Sequence, residues 1–77
     1  MARTIEEQKY LVDRTNAFLK KYGVYKKWLA EKVNISYSKF SYFIGNRYVI
    51  PDAQYDRLNA FLDEYERRMI GFQEIGN

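Results

Sequence analysis

The sequence predicts an all-α fold of four to five helices, packed as one small domain over residues 1–77. Three observations predict it. Chain breakers are scarce, with one proline and four glycines in 77 residues. Apolar side chains recur at helical spacing, which places them on one face of each segment. Start and stop residues stand at the ends of those periodic stretches. A core of this size stabilises a fold only marginally, so each large apolar side chain counts.

The first helix is expected over residues 5–22. Thr4 and Glu7 have the spacing of a capping box, in which the hydroxyl and the carboxylate each take an orphan amide. Leu11, Phe18 and Tyr22 then share one face, and Gly23 supplies a left-handed stop. A short second helix follows over residues 25–33, with Leu29 and Val33 one turn apart. Trp28 reads as a packing residue against the first or the fourth helix. Asn34 tolerates the left-handed region and ends the segment. Ser36 is a cap for a third helix running to Ile44, with Phe40 and Phe43 on its inner face. Gly45-Asn46 is expected to stop it by the same left-handed chemistry. Pro51 keeps Ile50 extended, and Asp52 is a cap candidate for a long helix over residues 52–69. Tyr55, Leu58, Phe61, Leu62, Tyr65 and Met69 repeat there at helical spacing. Gly71 is expected to break it and leave a short tail, residues 70–77.

Composition removes several function classes. The chain has no cysteine and no histidine. Disulfides, Cys/His zinc sites and Cys-His or Ser-His nucleophile pairs are therefore excluded. Asp56, Asp63, Glu64 and Glu66 read as a solvent face rather than a catalytic pair, so no enzyme activity and no cofactor are expected. Residues 1–10 are polar, and no run approaches the ~18 apolar residues of a membrane span. A cytoplasmic protein without membrane contact is expected.

Charge is unevenly placed. The net charge is +3, yet residues 20–47 carry Lys20, Lys21, Lys26, Lys27, Lys32, Lys39 and Arg47 against Glu31 alone, seven minus one or +6. A concentrated positive field steers a polyanion. A solvated lysine-rich surface is the competing reading, and it fits Lys20, Lys21 and Lys32 best.

Residues 25–47 form the informative unit, two short helices meeting at a tight turn on Asn34. Ala30 is the small residue where they touch. Leu29, Val33, Ile35, Phe40 and Phe43 lie at −1, +3, +5, +10 and +13 from it and face the rest of the domain. With its "LA", four residues, "IS" and a second helix ending in a glycine-basic turn, this stretch resembles the helix-turn-helix of the lambda-repressor and Cro type. The clear resemblance covers about 25 residues, and the flanking helices fit the same layout more loosely. Three positions depart from that pattern: Asn34 replaces a glycine, Lys26 a glutamine, and Leu19 with Ile44 an arginine–glutamate pair.

The resemblance implies a lambda-repressor-like bundle and a DNA-binding, repressor-like transcriptional regulator of phage or mobile-element type. It implies that helix 36–44 enters the major groove of double-stranded DNA. With Phe40 and Phe43 inward, Tyr37, Ser38, Ser41 and Tyr42 are the base-contacting candidates. Lys26, Lys27, Lys39, Arg47, Tyr25 and Tyr48 are the phosphate-contacting candidates. Tyr25 and Tyr48 equally fit rim positions of the core. The outward set lacks arginine, glutamine and asparagine, the bidentate readers of guanine and adenine. A homodimer is expected, with Met69, Ile70, Phe72 and Ile75 either forming its seam or packing back on the first helix. The alternative partner is a protein, since tyrosines and serines beside lysines also suit a protein-binding surface.

Overall fold

The computed structural model describes the backbone of residues 4–76 and the side chains of residues 4–69. The described residues are all helical or connecting, with no strand among them: α1 (Ile5–Tyr22), α2 (Lys26–Lys32), α3 (Tyr37–Ile44) and α4 (Asp52–Gly76). None of these helices is long and apolar enough to cross a membrane.

Local chemistry sets the helix ends. The Glu7 amide donates to the Thr4 hydroxyl at 3.1 Å, and the Thr4 amide donates to the Glu7 carboxylate at 2.9 Å. Both halves of the capping box are thus made. Gly23 ends α1 at φ 64°, a left-handed conformation that glycine adopts without steric cost. Asn34 is left-handed as expected, at φ 57°. Its amide donates to the Glu31 carbonyl at 3.2 Å, and the Ile35 amide to the Ala30 carbonyl at 2.9 Å. This pair of bonds is a Schellman turn, and it delivers Ile35 into the core.

The end of α3 repeats that turn within the expected Gly45-Asn46 pair. Gly45 has φ −81° and Asn46 has φ 59°, so the asparagine alone is left-handed. The Asn46 amide donates to the Phe43 carbonyl and the Arg47 amide to the Tyr42 carbonyl, both at 2.8 Å. Position 45 therefore does not require glycine. A Cβ there would meet its nearest atom, the Tyr42 carbonyl oxygen, at 3.7 Å. Gly45→Ala is expected to stabilise the domain by about 0.4–1 kcal/mol, by restricting the unfolded chain. A lower thermal midpoint for that variant would contradict this geometry.

Two further expectations at α4 are corrected. Pro51, not Asp52, supplies the carbonyl that receives the first helical bond, from the Tyr55 amide at 2.9 Å. Asp52 is the first helical residue, where its charge favours the positive helix end. Gly71 does not break α4, which continues from residue 69 through Gly76 instead of leaving a separate tail. An interior glycine costs about 1 kcal/mol relative to alanine, too little to stop an established helix. The expected dimer seam falls partly outside the described side chains. Met69 is half-buried, while the side chains of Ile70, Phe72 and Ile75 are not among them.

The core joins all four helices. Leu11, Val12 and Phe18 of α1 meet Leu29 and Ala30 of α2 with Val33 at its C-cap, Phe40, Phe43 and Ile44 of α3, and Leu58 and Leu62 of α4. Ile35 and Ile50 close it from the connecting segments. The apolar pair Leu19 and Ile44 lies within or against this cluster. Trp28 packs edge-on against Phe61 and Tyr65 of α4, with ring centroids 6.0 and 6.2 Å apart, as its packing role requires. Phe18 and Tyr22 extend the aromatic cluster to the same Tyr65, at 5.0 and 5.1 Å.

Candidate nucleic-acid interface

The pair α2–α3 packs on α1 and α4 and turns one face of α3 outward. Phe40 and Phe43 have no exposed surface, so the opposite side of the helix must meet solvent. At about 3.6 residues per turn, Ser38 and Tyr42 stand on its crown. Tyr37 and Ser41 form one shoulder and Lys39 the other. Tyr37 and Tyr42 are 53% and 57% exposed. Ser38 and Lys39 are exposed and Ser41 is half-buried. The Ser36 hydroxyl caps α3, accepting from the Lys39 amide at 3.4 Å.

The flanking candidates divide. Lys26 and Lys27 form the first turn of α2 and are exposed, and Tyr25 before them is 82% exposed. Arg47 is exposed immediately after α3. Lys26, Lys27, Lys39 and Arg47 make no ion pair among the described residues. Tyr48 differs: it is half-buried and packs against the core, the rim position open to it in the sequence. Lys21 and Lys32 are not simply solvated. Their ammonium groups lie over the rings of Tyr22 and Trp28, at 5.3 and 5.6 Å.

Three side chains that the sequence does not single out hold this unit at its two turns. Gln8 of α1 is fully buried. Its amide nitrogen donates to the Tyr48 carbonyl at 2.8 Å and to Asn46 Oδ1 at 3.3 Å, and its Oε1 accepts from the Ile50 amide at 3.3 Å. Asn16 of α1 donates to the Ile44 carbonyl at 3.2 Å. Arg57 of α4 donates to the Val33 carbonyl at 2.9 Å. Carbonyls orphaned at the ends of α2 and α3 are thereby satisfied. The end of α2 and the end of α3 are both tied to the neighbouring helices.

Charge on the far side is used structurally. Arg14 of α1 donates to Asn59 Oδ1 and Asp63 Oδ1 at 2.6 Å, and to Glu66 Oε1 at 2.8 Å. Asp63 and Glu66 are therefore α1–α4 clamps, where the sequence suggests only a solvent face. Burial is the largest influence on the Arg14 pKa and lowers it, but the bonds and charges of Asp63 and Glu66 together raise it above the ordinary arginine value. A raised value in the folded state means this contribution is present at lower pH and lost only in strongly alkaline solution. Charge is thus uneven along the chain, with six acids against three arginines in residues 48–77 and Glu31 the only acid in residues 20–47.

Among the described residues there is no group of three or more acidic side chains placed to hold a metal. Compared with protein-family models, curated proteins and solved structures, the chain matches none.

Proposed function

We propose that this domain binds double-stranded DNA as a repressor-like transcriptional regulator, laying α3 in the major groove. The observation that carries the reading is the outward face of α3, which has no acidic residue and is flanked by Lys26, Lys27, Lys39 and Arg47. The four cations meet phosphates on either side of the groove, while Tyr37, Ser38, Ser41 and Tyr42 meet base edges. Tyr25 adds a phosphate hydrogen bond from the α2 side. One helix of eight residues spans only a few base pairs. The active form is accordingly a homodimer joined near the C-terminal part of α4, with its recognition helices about 34 Å apart.

A second reading rests on the same tyrosines. Rings as exposed as Tyr25, Tyr37 and Tyr42 beside serines also make a protein-binding surface, as in an inhibitor or antirepressor. A titration of labelled DNA from upstream of the protein's own gene separates the two. A regulator binds a discrete site, holds it against unrelated duplex, and weakens steeply between about 50 and 200 mM salt. Equal, weak binding to every duplex would reject the regulator and favour the protein partner.

A further inference from the structure

We infer that the crown of α3 reads the C5-methyl group of pyrimidines, which in unmodified DNA is the methyl of thymine. The inference rests on the DNA-binding reading and names what that surface selects. The crown consists of Ser38 and Tyr42, with Tyr37 and Ser41 on one shoulder and Lys39 on the other. Nothing on the crown has the paired donors that grip guanine, nor the amide that grips adenine. Lys39 stands on the shoulder, toward a groove wall, where it serves a phosphate. What the surface does present is aromatic carbon: Tyr42 is 57% exposed and Tyr37 is 53% exposed. Each ring carries a single phenolic hydroxyl at its tip, not a paired set of donors, and a large apolar face. In the major groove the apolar feature among the base edges is the methyl on pyrimidine C5. A ring laid over it removes both from water. The Ser38 hydroxyl, both donor and acceptor, accompanies either base of the pair without choosing between them.

The surface is also rigid enough to discriminate. The turn leading into it is held by Arg57 on the Val33 carbonyl, and its C-terminal end by Asn16 on the Ile44 carbonyl. The Arg47 amide, bonded to the Tyr42 carbonyl at 2.8 Å, fixes the backbone of the reading residue itself. A tyrosine so placed contributes its ring at little cost in conformational freedom.

Four duplexes of equal length test this: alternating dA–dT, alternating dA–dU, alternating dG–dC, and dG paired with 5-methylcytosine. Uracil differs from thymine only in lacking the methyl. Affinity should fall by about fourfold for each covered methyl, so roughly ten- to twentyfold where two are covered, on passing from dA–dT to dA–dU. Tyr42→Ala should bring that ratio close to one while leaving the far-ultraviolet circular dichroism unchanged. Equal affinity of the wild type for dA–dT and dA–dU overturns the inference and leaves DNA binding standing. A ratio unaffected by Tyr42→Ala overturns the assignment to the crown. The 5-methylcytosine duplex tests the methyl apart from the base: tighter binding than to unmethylated dG–dC supports the inference, and equal binding to the two overturns it. Failure to bind any of the four removes the DNA reading and this inference together.

Discussion

Gln8→Ala is expected to destabilise the domain by about 2–4 kcal/mol, the largest loss from any single polar side chain among the described residues. The reason is what remains behind. Gln8 is fully buried and bonds the Tyr48 carbonyl, the Ile50 amide and the Asn46 side chain. Alanine leaves a buried amide and a carbonyl without partners, and each such group costs about 1–3 kcal/mol. It also leaves a void beside the α3–α4 connection. In a domain of this length the thermal midpoint should fall by more than about 10 °C. Gln8→Glu preserves the shape and the acceptor for the Ile50 amide, but near neutral pH it sets a buried carboxylate against the Tyr48 carbonyl oxygen and Asn46 Oδ1, so it should destabilise at least as much as alanine. A midpoint within about 2 °C of wild type for Gln8→Ala would show that water replaces the side chain and that the connection is not held from α1.

That Gln8 matters is not visible along the chain, and the reason generalises. The buried stripe of α1 runs through Gln8, Leu11, Thr15, Phe18 and Tyr22 at alternating spacings of three and four. Two of its members are polar, so apolar periodicity finds the helix but passes over them. Thr15 satisfies its hydroxyl locally, donating to the Leu11 carbonyl at 2.7 Å. Gln8 is satisfied only by groups about 40 positions away, as Arg14 is by Asp63 and Glu66. Local signals behave differently. The Thr4–Glu7 box, Gly23, Asn34 and the Ser36 cap each act within a few residues, and each predicts the helix end that is observed. A local signal can also leave a choice open: Gly45 and Asn46 both tolerate the left-handed region, and hydrogen bonding to the Phe43 and Tyr42 carbonyls places it on Asn46 alone. Gly71 carries a penalty that α4 absorbs. For the candidate interface, the inward Phe40 and Phe43 make the outward set legible in advance, because helical geometry leaves it no other direction. Tyr48 lies beyond the helix, where periodicity has no hold, and it turns to the core.

Replacing Lys26, Lys27, Lys39 and Arg47 together by alanine is expected to lower DNA affinity by about 10³-fold near 0.1 M salt. Each phosphate neutralised by a side chain releases condensed counterions, so each phosphate left bare lowers the salt slope by about 0.9. With four cations removed, the slope should flatten by roughly 3–4. The four residues are exposed and make no ion pair among the described residues, so folding should survive their removal. Removing four like charges from the basic third of the chain should if anything relieve repulsion there. The control is Lys20→Ala with Lys21→Ala, which removes charge from the end of α1 rather than from the flanks of α3. If α3 lies in the groove, the control changes the slope by less than one unit while the fourfold variant changes it by several. Equal effects from the two variants would mean that the whole basic surface attracts DNA without orientation, and α3 would lose its assignment to the major groove.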